Sequence, residues 1–376
     1  MIFDPRPWIE VGDAPADRVV ARVIADQAIA AVDPLLLRMI HTADVVPEGL
    51  PSYLQDFLVE ELHLPLPEEV DDVQRAERFY GEHGLAITML LGFASLPWTY
   101  TLRDGAAILV RTGQLTRHAE RRVLETCQFV VDAFAPGGME AGGAGLRDAQ
   151  KVRLMHATIR SYTLQGGQWD VASRGVPVCQ ADLLATLCSF THVVLDGLAR
   201  MGVNVQPDDA QAWVTAWRVL GRNLGLDPRL MPRTPAEAQS HAEAVHALRA
   251  GPSPEGAQLA TALSSFLESL GPELLTEHIV PTQIRFFLGD VLGDWLNLPA
   301  ANASIHVIHA INRVDALLHR VEDVVPLAGS IGSGVGHALV TSLLAAERGG
   351  TRPPFSLPPS LQRAWKEERE LRKRLK

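Results

Sequence analysis

Cysteine is scarce. Three residues, Cys127, Cys179 and Cys188, in a chain of 376 are too few and too oddly placed for a disulfide framework. There is no Cys-x-x-Cys-His, so no thioether attachment site for a c-type haem, and no cysteine pairing suited to zinc. No apolar run reaches about 18 residues without a charge or a proline, so no membrane-spanning helix is expected. Basic residues are in deficit: Lys and Arg number 34 against 44 Asp and Glu, a net charge of −10 that argues against a general nucleic-acid binder. Neither a Gly-x-Ser-x-Gly elbow nor a His-Glu-x-x-His is found. Met1 to Pro7 lacks a basic region followed by an apolar stretch. That is expected of a cytoplasmic chain, or of an exported one whose signal has been removed. Strand signals are few.

What remains is helix. Apolar residues recur at helical spacing over Asp17 to Ile29, Pro51 to Leu62, Thr116 to Phe134, Asp148 to Leu164, Gln180 to Met201 and Asp208 to Leu224. Glu68 to His83 begins acidic, as helix N-termini prefer, and leads into Leu85 to Leu96, where Pro97 should end or kink the helix. Further helical patterns cover Pro235 to Leu248, Gly256 to Leu270, Thr282 to Leu296, Ala301 to Val321, Gly334 to Glu347 and Pro359 to Lys376. The last ends in a mixed, mainly basic tail that reads as a solvated helix end, with a weak membrane-surface contact as the alternative. Ala135 to Gly145, with five glycines, reads as a flexible loop. Gly251-Pro252-Ser253-Pro254 is the best linker candidate, but it is short, so one all-α domain over residues 1–376 is expected rather than two.

Within Asp148 to Leu164 lie Arg153, His156 and Arg160. Steps of three and four residues bring them within about 60° of one another on a helix. One imidazole then stands between two permanent cations, an arrangement suited to a metal-bearing, anionic cofactor such as haem with its two propionates. The competing reading is a half-buried histidine beside arginines that pair with nearby acids.

The stretch resembles the helical Arg-x-x-His-x-x-x-Arg of the latex-clearing protein (rubber oxygenase) and MpaB-type haem b oxygenases. Four more segments resemble that family in the same order: Ser95-Leu96-Pro97, Arg111-Thr112-Gly113-Gln114-Leu115, Arg122-Val123-Leu124-Glu125-Thr126, and Gly175-Val176-Pro177 with the helix after it. Together they cover roughly residues 75 to 225, leaving helices 233–376 to pack on that core. The resemblance implies a globin-like helical core around haem b, with His156 as the axial iron ligand. Arg153 and Arg160 would orient its helix or neutralise propionates, and Arg122 and Thr126 would line the distal side. The implied reaction is cleavage of a carbon–carbon double bond by dioxygen in an apolar, isoprenoid-like substrate. Two departures stand out. Glu125 replaces the lysine of the rubber-cleaving members, and Ala106 replaces the carboxylate proposed there as a base. Glu125 could accept a proton in its place, or pair with Arg122 three residues away.

A non-catalytic haem store or gas sensor is the reading from another class, and a haem-free helical scaffold a third. His306 and His309, spaced for one helix face, and His192, in an apolar helix, read better as packing histidines than as ligands. Gly329 to Gly336 reads as a tight loop into a helix rather than a phosphate cradle.

Overall fold

The computed structural model describes residues 3–28, 32, 35–36, 44–111, 119–269 and 279–300, without the side chains of 119–122. Among these residues the chain is helical. Its one β-bridge pairs Leu102 with Ala250. In chain order the helices are α1 (Ala14–Ala25), α2 (Ser52–Glu60), α3 (Val70–Leu90), α4 (Leu96–Tyr100), α5 (Arg103–Arg111), α6 (Ala119–Phe134), α7 (Gly145–Gln165), α8 (Val171–Arg174), α9 (Gln180–Phe190), α10 (His192–Arg200), α11 (Pro207–Asn223), α12 (Pro235–Arg249), α13 (Pro254–Ser269), α14 (Ile279–Leu288) and α15 (Asp290–Trp295). The expected helices beyond residue 300 and the candidates His306, His309 and Gly329 to Gly336 lie outside the described residues.

Local chemistry sets many of the starts. Asp13 caps α1 by accepting from the Ala16 amide at 3.4 Å, and Thr234 caps α12 by accepting from Glu237 N at 3.1 Å. Prolines open α11, α12 and α13, where a missing N–H costs nothing. Glu69, buried just ahead of α3, takes both ends of the Arg222 guanidinium from α11 and the Leu66 amide.

The main core lies where α3 packs against α11. Phe134 stacks on Trp213 at 4.3 Å and Phe190 on Trp217 at 4.5 Å between ring centres, a geometry that adds to simple area burial. A second cluster joins α1 and α2 to Leu154 and Ala157 of α7. Helix α7 is buried on almost every side, polar residues included. Arg147 and Gln150 meet this by sharing the Leu58 carbonyl and bonding to each other at 2.6 Å.

Four details depart from the sequence reading. The helix through Leu85 to Pro97 does not stop at the proline. It loosens into a π-turn over Leu91–Ser95, and Pro97 then sits in the first turn of α4. Gln180 to Met201 is two helices, broken at Thr191, whose hydroxyl bonds back to the Leu187 carbonyl at 2.9 Å. By length and composition Gln180–Arg200 could cross a membrane, but 67% of its apolar window is buried inside the protein, as in a core helix. Thr282 to Leu296 is likewise interrupted, at Gly289, whose φ is +81°.

The fourth is the glycine-rich loop between α6 and α7, which is packed rather than flexible. Met139 is fully buried. A Cβ at Gly143 would collide with the Gly137 carbonyl oxygen, and one at Gly145 would lie 2.6 Å from the Ala133 Cα. These glycines serve close backbone approach, not freedom. The candidate linker is also tied down, through the Gly251 amide to the Thr101 carbonyl at 3.0 Å.

Candidate active site

An apolar cavity of about 230 Å³ lies between α4, α5, α6, α7, α9 and α11. His156 enters it from α7, and Glu125 and Thr126 from α6. Val123, Phe129, Ile108, Leu183, Leu187 and Phe190 make much of the remaining wall. His156 is half-buried, Thr126 is half-buried and Glu125 is only 6% exposed. Three of the sequence-derived site residues therefore share one cavity.

The two arginines beside His156 do not line it. At about 100° per residue, the cavity-facing Val152, Met155, His156 and Ile159 occupy an arc of about 100° with His156 at one edge. Arg153 and Arg160 fall just beyond that edge, about 40–60° on the other side. They share that side with Leu154 and Ala157, which face α1 and α2. Arg153 donates to Asp13 from Nε at 2.6 Å and from Nη2 at 2.9 Å, and to Glu61 from Nη1 at 2.8 Å. Arg160 stands 3.5 Å from Asp17. Burial pushes the Asp17 carboxyl above its ordinary range, and the charge of Arg160 pulls against that shift. In this geometry both arginines join the His156 helix to the N-terminal helix α1.

Arg122 belongs to α6, but its side chain lies outside the described residues. Ala106, in the position of the absent carboxylate, is fully buried in α5 and not part of the cavity wall. His192 begins α10 away from the cavity, and burial holds its ring below the usual histidine range.

Sequence reasoning missed a polar stripe on α9. Asp182, Thr186 and Ser189 all line the cavity. Their i, i+4, i+7 spacing inside an apolar helix was the available signal. Asp182 is fixed by Arg249, which donates from Nε at 3.1 Å and Nη2 at 2.8 Å, and by the Cys179 amide at 3.3 Å. Arg249 also faces Asp104 at 3.2 Å, whose carboxyl is pushed up by burial despite Arg249 and Arg174.

The donor set limits what the cavity could hold. A bare metal ion needs three or more protein ligands, and among the described residues no such cluster of His, Cys, Asp and Glu occurs. A single imidazole in an apolar cavity suits a metal that arrives with its own equatorial ligands, as in haem. The residues present therefore fit that group.

Residues 80–311 match the family model "ER-bound oxygenase mpaB/B'/Rubber oxygenase, catalytic domain". The rubber oxygenase of Streptomyces sp. (strain K30) is 27% identical over 291 residues, 77% of this chain and 71% of that protein. The fold is similar to that of a solved structure of latex clearing protein LCP in the closed state, with a TM-score of 0.72, 23% identity, and coverage of 96% of this chain and 91% of that one. With the family model spanning more than half of the sequence, the chain belongs to the mpaB/rubber oxygenase catalytic-domain family and is an oxygenase.

Proposed function

We propose that this oxygenase binds haem b on His156 and uses dioxygen to cleave a carbon–carbon double bond in an apolar, isoprenoid-like substrate. The observation that carries the reading is one imidazole facing the same apolar cavity as Glu125 and Thr126. Haem, when bound, would supply the dioxygen chemistry that side chains cannot perform. Overall, one double bond and one dioxygen would yield two carbonyl groups, so no atoms are left over.

The chain's own residues do the rest. His156 offers its ring nitrogen from a helix whose position Arg153 and Arg160 secure. The aliphatic wall excludes water and accepts an alkene chain by burial of apolar surface. Thr126 brings a hydroxyl into the cavity, and Glu125 a carboxylate in a poorly solvated setting. That carboxylate, where rubber-cleaving relatives resemble one another in having lysine, points to a substrate other than rubber. The net charge of −10 agrees with a small apolar substrate and not a nucleic acid.

The absorption spectrum of the purified protein tests the proposal. An intense Soret band, a haem extractable into acidified butanone, and dioxygen uptake on adding an alkene are expected. A colourless protein that fails to take up added haem would overturn it.

A further inference from the structure

We infer that the substrate carries a hydroxyl group near its alkene, which the α9 side of the cavity receives as a hydrogen-bond donor. This rests on the reading of the cavity as the substrate site. A hydroxyl has one proton and two lone pairs. Thr99 donates its proton to the Leu96 carbonyl at 2.7 Å, Thr186 to the Asp182 carbonyl at 3.0 Å, and Ser189 to the Thr186 carbonyl at 2.8 Å. Ser189 further accepts from the buried Ser95 at 3.2 Å. Thr99, Thr186 and Ser189, three of the five hydroxyl-bearing residues that line the cavity, have thus committed their protons to their own helices, and what they can offer a ligand is lone pairs.

The carboxylates add to this. Asp182 lines the cavity beside Thr186, and Glu125 lines it from α6. Arg249 and the Cys179 amide fix Asp182 in place, but a carboxylate has about four acceptor sites and retains capacity. Asp182, Thr186 and Ser189 form one stripe about 10 Å long on the helix, given a rise of about 1.5 Å per residue. A pure hydrocarbon covering the outer part of this stripe would strip water from the acceptors of Asp182 and Thr186 and return nothing. An alcohol fills the same space and donates one bond. Thr186 is exposed and Ser189 fully buried, so the stripe runs inward from solvent.

The probes are geraniol and geranyl methyl ether, which share a carbon skeleton and differ in one donor proton. Each is titrated calorimetrically into the purified protein under argon, so that no turnover intervenes. Geraniol should bind at least about tenfold more tightly than the ether. In the double variant Thr186→Val, Ser189→Ala the ratio of the two affinities should fall toward one. Circular dichroism and the ratio itself, rather than either affinity alone, separate this from a folding defect. Equal binding of alcohol and ether by the wild-type protein would overturn the inference, as would a ratio unaltered in the double variant. Haem and alkene cleavage with no alcohol preference would sink this inference alone. An alcohol preference in a protein that binds no haem would sink only the proposed reaction.

Discussion

Gly145 lies so close to Ala133 that a methyl group at its position would come within 2.6 Å of the Ala133 Cα. The contact closes the loop between α6, which brings Glu125 and Thr126, and α7, which brings His156. The spacing of the cavity's two walls is thus set by a glycine far from any reacting atom. Gly145→Ala should cost about 1–3 kcal/mol through overpacking, since backbone cannot yield as a side-chain tip can. Thermal unfolding gives the loss, and titration with haem should show weaker uptake. Unaltered stability would mean that the loop relaxes freely.

His156→Ala should abolish the Soret band, or nearly so, with the helical circular dichroism retained. No other described histidine lines the cavity. His192→Ala should keep the chromophore, because burial of that ring serves packing at the start of α10. A protein that loses haem on the second change and keeps it on the first would show that the axial assignment is wrong.

Glu125→Lys should strengthen binding of cyanide or azide to the ferric protein, by roughly tenfold or more, since a two-unit charge change in a poorly solvated cavity is incompletely screened. The ferric spectrum should shift with it. If both stay constant, Glu125 does not act on the iron side of the cavity.

Glu69 provides the pH dependence. Burial pushes its carboxyl up, but the Arg222 hydrogen bonds, the Leu66 amide and the charges of Arg222 and Arg218 outweigh that and hold it below the ordinary 4.5. A depressed acid stabilises the fold above its unfolded value, and that stability is lost as pH falls through 4.5 and below. Glu69→Gln should therefore cost about 2 kcal/mol at neutral pH. The gap from wild type should close in urea titrations run at progressively lower pH. A gap that is constant with pH would remove the linkage.

Four of the helices that face the cavity, α6, α7, α9 and α11, were legible because amphipathic spacing and the motif order reinforce each other over residues 75 to 225, whereas the short α4 and α5 were not. The division of α7 was not. Steps of three and four residues say that Arg153, His156 and Arg160 are neighbours, but not where the boundary between cavity and N-terminal helix falls, and it falls between His156 and the arginines. Glycine-rich composition likewise does not distinguish a loop that needs freedom from one that needs backbone to touch backbone, so Ala135 to Gly145 reads as mobile and is packed. The break at Thr191 is hidden because apolar periodicity runs unbroken across it, and a threonine that bonds back to the carbonyl four residues before it looks in sequence like any other helical threonine. The α9 stripe was visible as three polar residues in an apolar helix, yet only the neighbouring walls show that they face a cavity.

The ion pair between Arg153 and Asp13 joins residues 140 positions apart. Asp13 and Asp17 are made before α7 and must wait for it before they have their arginines. Closing so long a loop is entropically costly and slow. The back of the His156 wall therefore sets only after α2 to α6 have been made. The wall that presents the imidazole is thus completed by a long-range closure and not by contacts between neighbours in sequence.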